Sequence, residues 1–186
     1  MKRAMSGNET SLSESANGYS NPDNGYLAAG LSRSLGPVAV LTGRLPTVPQ
    51  TLQGNATMGT GNMRYWSICS YELFSQKVAG CLFDQTLKTD SAGNYVIAVS
   101  RSADRPSNAN AACGYNWIQW SDNGDGNGNT NDGFIALRNL LPDPSFGQSV
   151  QNAALLGIGA PLTMGAYLPA ISYSSVSAFQ ARGCSP

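Results

Sequence analysis

Apolar residues along this chain come in short bursts separated by glycine, proline and asparagine, and most bursts have the length of a strand. Residues 37–42 (PVAVLT) form a continuous apolar run that the Gly43–Pro46 turn signals stop. Residues 63–74 (MRYWSICSYELF) mix aromatic and β-branched side chains over a bent strand's length, and residues 78–85 can return beside them. A turn at 90–94 leads to a strand at 95–100 (YVIAVS), and further strands are predicted at 115–120, 134–139 (FIALRN) and 170–176. Residues 25–35 suit a short helix or an extended entry. After Pro142 and Pro144, residues 145–156 suit a short helix with Ser145 as N-cap and Phe146, Val150, Ala153 and Ala154 facing inward. The pattern predicts a mainly β fold, an antiparallel β-sandwich or jelly-roll-like domain with a short C-terminal helix. A polar arm at 1–24 precedes a single β-rich domain at 25–186.

The composition narrows the chemistry. Charged residues are only 12% of the 186 positions, and eleven basic side chains balance eleven acidic ones. No net field draws nucleic acid or an anionic membrane, so neither is an expected partner. The most apolar stretch, 153–171, carries Gly157, Gly159, Pro161, Gly165 and Pro169, which favour a packed segment over a membrane span. The chain has no histidine, which removes histidine-based triads and histidine-ligated zinc or iron.

Four cysteines, Cys69, Cys81, Cys113 and Cys184, are widely spaced and form no CxxC pair. Two disulfides are expected in an exported protein, with three pairings open. Cys69 and Cys81 flank an expected hairpin, which favours their pairing and leaves Cys113 with Cys184. The longer loop would contribute about 4 to 5 kcal/mol by chain entropy. Export to the cell surface, the extracellular space or the periplasm is the expected compartment, although MKRAMSGNET shows basic residues without the apolar run of a signal peptide.

Residues 122–133 (DNGDGNGNTNDG) set oxygen-bearing side chains among glycines. Asp122, Asp125, Asn127, Asn129, Asn131 and Asp132 could ligate calcium, a hard cation that takes oxygen donors, or the run could be a metal-free polar turn. It is not an EF-hand loop, because counting from Asp125 puts Thr130 and Ala136 where glycine and glutamate are required. A second candidate surface is aromatic. Tyr65, Trp66, Tyr71, Tyr115, Trp117 and Trp120 could stack on a sugar or aromatic ligand, with Arg64, Asn116 and Gln119 orienting it, and the same residues also suit a core. An enzymatic alternative would draw on Glu72, Asp84, Asp104 or Asp143, with Arg64, Arg105 or Arg138 opposing negative charge.

The order of signals from 38–47 (VAVLTGRLPT) through Tyr65-Trp66-Ser67-Ile68, Ser70-Tyr71-Glu72, Asn94-Tyr95-Val96-Ile97, Asn116-Trp117-Ile118, the 134–138 run and Pro142 resembles the β-sandwich portion of bacterial proteins of the DUF1254/DUF1214 group. The resemblance covers just over half the chain and implies a jelly-roll-like domain. It brings no catalytic residues with it.

These features favour an exported or cell-surface structural or recognition module that can form a homo-oligomer through its arm or an edge strand. The alternatives are a glycan- or small-molecule-binding β-sandwich and a carboxylate-dependent hydrolase.

Overall fold

The computed structural model describes residues 3–4, 21, 23–156 and 159–184, with side chains described for 21, 23–153 and 159–184. In chain order the strands are β1 Arg3–Ala4, β2 Asn24–Ser32, β3 Val38–Arg44, β4 Met63–Tyr71, β5 Val78–Phe83, β6 Asn94–Ser100, β7 Asn116–Gln119, β8 Asp132–Pro142 and β9 Ala170–Ser174. The helices are α1 Val150–Leu156, α2 Ala160–Thr163 and α3 Val176–Gln180. One sheet has the order β1-β9-β3-β6-β7 and the other β2-β8-β4-β5. The fold is mainly β, two sheets arranged like a sandwich with short helices toward the C-terminus.

The continuous apolar runs occupy the centre of the first sheet. Val38, Ala39, Val40 and Leu41 in β3, and Ile97, Ala98 and Val99 in β6, are all buried because this sheet is covered on both faces. Its inner face meets Leu27, Leu31, Trp66, Ile68, Ile135 and Leu137 of the second sheet in the main core. Its outer face carries a second core, in which Val38, Val40 and Ala98 lie under Ala109, Tyr115 and Phe179. The Cys113–Cys184 disulfide closes this cover, and the Asn108 side-chain amide donates to the Gly183 carbonyl at 2.7 Å beside it. The second disulfide joins Cys69 and Cys81, which are direct cross-strand partners in β4 and β5.

Two local expectations change, and one open choice is decided. Among the described residues strand pairs are antiparallel except β6 with β7, which is parallel, because residues 101–115 cross over the outer face of the first sheet before β7 starts. Of the two readings for 25–35 the extended one is found: Asn24–Ser32 forms β2, paired along its length with β8, and the chain then tightens into a short 3-10 turn at Arg33–Leu35. The cap of α1 is Ser149, whose hydroxyl accepts the Asn152 N–H at 3.1 Å. Ser145 instead donates its N–H and hydroxyl to the Asp143 carboxylate, forming a turn ahead of the helix. Phe146, Val150 and Ala153 are buried as the inward face requires, and the Ala154 side chain lies outside the described residues. Of the predicted arm, Arg3–Ala4 pairs with β9, while most of 1–20 lies outside the described residues. Among the described residues no helix is long and apolar enough to cross a membrane.

Candidate functional site

The two sheets differ in what covers their outer faces. That of the first sheet is sealed by α3 and the 101–115 crossover. On the second sheet, strand alternation sends Leu27, Leu31, Trp66, Ile68, Ile135 and Leu137 inward, and the opposite parity outward. The register then aligns Tyr26, Arg138, Ser67 and Phe83 in one row across β2, β8, β4 and β5. The next row is Ala28, Ala136, Cys69 and Cys81, and the one beyond it holds Gly30, Phe134 and Tyr71. On the other side of the Arg138 row stand Leu140 and Tyr65. Small residues make the floor and rings stand around it. None of Tyr26, Tyr65, Tyr71, Phe83 or Phe134 belongs to either buried cluster, and Tyr26 is 44% exposed.

Arg138 is the one basic residue among these rows. Its Nε donates to the Asn24 side-chain oxygen at 2.6 Å, and its guanidinium lies 5.9 Å from the Tyr26 ring centre and 5.5 Å from that of Tyr65. These are cation–π distances, so the charge is held by ring faces and an amide. Tyr65 stacks near-parallel on Phe83 with centroids 6.4 Å apart, and Tyr71 meets Phe134 edge-on at 6.3 Å. Burial pushes the Tyr71 phenol above its ordinary value, the Tyr26 phenol adds to this, Arg138 opposes it and Tyr65 adds again. Arg138 and these three tyrosines thus share one face of the sheet.

The expected ligand-binding residues divide. Tyr65 is on this open face. Trp66 is buried against Tyr95, with ring centres 5.4 Å apart. Tyr115 packs edge-on to Phe179 at 5.2 Å in the second core. Trp120 is fully buried, with its indole N–H directed to the Asp132 carbonyl at 3.3 Å. Asn116 is buried as a clamp, accepting the Lys88 N–H at 2.8 Å and donating to the Lys88 and Val96 carbonyls. Trp117 lies under the Arg105 guanidinium at 4.4 Å and donates to the Ser100 hydroxyl. Arg64 is half-buried on β4. Tyr26, Phe83 and Phe134 lie outside the expected ligand set, and Arg138 belongs there only to the hydrolase alternative. The signal that picks them out is period-two alternation, which separates Tyr65 and Tyr71 from Trp66 on the same strand.

The glycine-rich loop is held by its own side chains. Asp125 accepts the N–H groups of Asn127 at 2.8 Å and Asn129 at 3.2 Å, and the Asn129 amide donates to Asp132 at 2.6 Å. Asn131 donates its N–H to Asn129 and accepts the Arg33 N–H through its carbonyl. Asp122 lies 3.6 Å from the Arg101 guanidinium, which also donates to the Asp122 carbonyl at 3.2 Å and the Thr130 carbonyl at 2.5 Å. Among the described residues no group of three or more Asp, Glu, Cys or His side chains is gathered around a metal-sized site. Gly124 and Gly126 have φ of 64° and 77°, a region that favours glycine.

The candidate carboxylates each serve local structure. Glu72 is buried and accepts from the Ser121 hydroxyl at 2.6 Å, the Ser75 hydroxyl at 2.5 Å and the Asn123 amide at 3.1 Å. Hydrogen bonds from Ser121 and then Ser75 hold this carboxyl below the usual glutamate range. Asp84 is buried and accepts the Trp66 N–H at 2.8 Å. Asp104 pairs with Arg33 at 2.8 Å, and Asp143 caps its turn.

The arrangement defines a class: a disulfide-bonded two-sheet domain with one sealed face and one aromatic face that, among the described residues, no element covers. No family model and no curated protein matches the sequence. A crystal structure of an uncharacterised protein from Burkholderia cenocepacia is similar over 85% of this chain, at 12% identity and a TM-score of 0.49. This chain spans 31% of that one.

Proposed function

We propose that the protein is an exported recognition module that holds a ring-bearing ligand, a sugar or a small aromatic compound, on the outer face of its four-stranded sheet. The observation that carries this reading is the unequal treatment of the two outer faces. One is closed by a helix, a crossover and a disulfide, while the other keeps five aromatic rings outside both cores around a floor of small residues. Aromatic rings placed this way stack on sugar or aryl faces at little conformational cost. Two disulfides and a surface poor in charge favour an oxidising compartment outside the cytosol.

Affinity electrophoresis through gels containing soluble neutral or acidic polysaccharides, with fluorescence titration by simple phenols, tests the reading. Retardation or quenching that is lost in Tyr65→Ala and Tyr26→Ala supports it. Unchanged behaviour of both variants sinks it. The structural alternative, a homo-oligomer joined through the arm or an edge strand, makes a different prediction. There, native mass rises with concentration and the tyrosine substitutions leave it alone.

A further inference from the structure

We infer that the ligand carries a carboxylate beside its ring and that Arg138 anchors it. This rests on the proposed recognition role and specifies its chemistry. The ion pairs among the described residues are Arg33 with Asp104, Lys77 with Glu72, and Arg101 with Asp122, so Arg138 is left without an acidic partner. The rows from Asn24 to Gly30 place no aspartate or glutamate on this face, and Asp132, in the row at Ser32, already accepts the Asn129 amide. The hydrogen bond that fixes Arg138 uses Nε alone, with Asn24 as acceptor. Its two terminal nitrogens have no acceptor among the described residues, and neither is a sealed-off polar atom. Among the described residues nothing occupies them.

A guanidinium half-buried among rings loses part of its hydration, and an anion that reaches it meets less competition from water than at a bare surface. The two terminal nitrogens form a planar fork that matches the two oxygens of a carboxylate. A single fixed cation balances a single negative charge. A phosphate dianion would call for a second cation, which these rows do not supply. Tyr65 on Phe83 then provides the platform for the ring that bears the acid, with Tyr26 in the Arg138 row and Tyr71 two rows beyond it. The ring can be that of a uronic acid sugar or of an aryl acid, since both present the same carboxylate-on-ring chemistry.

Calorimetric titration of the intact protein with oligogalacturonate and its methyl ester, and with 4-hydroxybenzoate and its amide, separates these sources. In at least one pair the acid is expected to bind about tenfold more tightly than its neutral partner, and more weakly as salt rises. Arg138→Gln should abolish the acid preference. Arg138→Lys, which keeps the charge and loses the fork, should restore only part of it, and thermal unfolding of both variants checks that the sheet is intact. The wild-type comparison of acid with ester or amide needs no variant. Neutral partners that bind as well as the acids, with loss in Tyr65→Ala, overturn the carboxylate assignment and leave ring recognition standing. Failure of every acid and every neutral probe to bind overturns both.

Discussion

Glu72 and Ser121 lie 49 positions apart in the chain, and the Ser121 hydroxyl donates to the Glu72 carboxylate at 2.6 Å. Through this contact the turn after β4 is tied to the start of the glycine-rich loop. The Phe74 N–H donates to the Asp125 carbonyl at 2.9 Å, and a side chain at Gly126 would run into Glu72 and Ser75. A carboxylate buried at the joint of two loops is therefore a structural acceptor, and its charge is part of what it accepts with.

That role has a pH signature. The Glu72 carboxyl is held below its ordinary value chiefly by Ser121 and then Ser75, so its contribution is present above the unfolded-chain value of about 4.3 and is lost as pH falls through the lower folded value. The unfolding midpoint of Glu72→Gln should lie well below wild type at pH 7, and the gap should narrow as pH is taken below about 4. A gap of equal size at both ends of the titration would remove the charged-acceptor role.

The two disulfides should differ in what they contribute. Cys113 and Cys184 close a separation of 71 residues and Cys69 and Cys81 one of 12, so the chain-entropy account gives about 4 kcal/mol for the first and about 3 kcal/mol for the second. The longer link also fastens α3, whose Phe179 is fully buried in the second core. Paired serine variants compared by urea denaturation should show the larger loss for Cys113→Ser with Cys184→Ser. The reverse order would mean that the cover holds without its covalent link.

Much of the fold can be read directly from the chain, and the reasons differ by element. The 37–42 and 95–100 runs declare themselves because both faces of β3 and β6 are buried, so apolar character is unbroken. The disulfide pairing follows from a hairpin that places Cys69 opposite Cys81. β2, with the sequence NGYLAAGLS, has weak strand propensity from its glycines and alanines, and its conformation is set by nine register positions shared with β8, which no local signal discloses. The parallel partnership of β7 is equally hidden, because its crossover carries no long helix to announce it. Aromatic identity alone does not separate core from site. Trp66 and Tyr65 are neighbours in sequence on opposite faces, and only the register sorts Tyr26, Phe83 and Arg138 onto the same face as Tyr65.

Close packing beside the second sheet gives a sharper mutational test. A methyl group added at Gly133 would overlap the Trp120 indole, including its Cε2 at 2.8 Å, and Trp120 has no exposed surface through which to retreat. Gly133→Ala should destabilise by about 1–3 kcal/mol through overpacking. Chemical denaturation would show a lower midpoint at unchanged slope. A wild-type midpoint would mean that Trp120 shifts without cost.

The glycine-rich loop already has a resident cation in Arg101. Its guanidinium donates to the Thr130 carbonyl at 2.5 Å and the Asp122 carbonyl at 3.2 Å, and lies 3.6 Å from the Asp122 carboxylate. These oxygens are of the type calcium recruits, so guanidinium and metal would compete for the same donors. Arg101→Met should lower stability by about 1 kcal/mol, since two carbonyls lose a charged donor at a site partly open to water. Millimolar calcium should leave the wild-type unfolding midpoint in place and recover part of the loss in Arg101→Met, where Asp122 and the freed carbonyls face a vacancy. Differential scanning calorimetry with calcium and with chelator reads both. A rise in the wild-type midpoint on adding calcium would show that metal and Arg101 bind together, and would make the loop a calcium clamp in its native form.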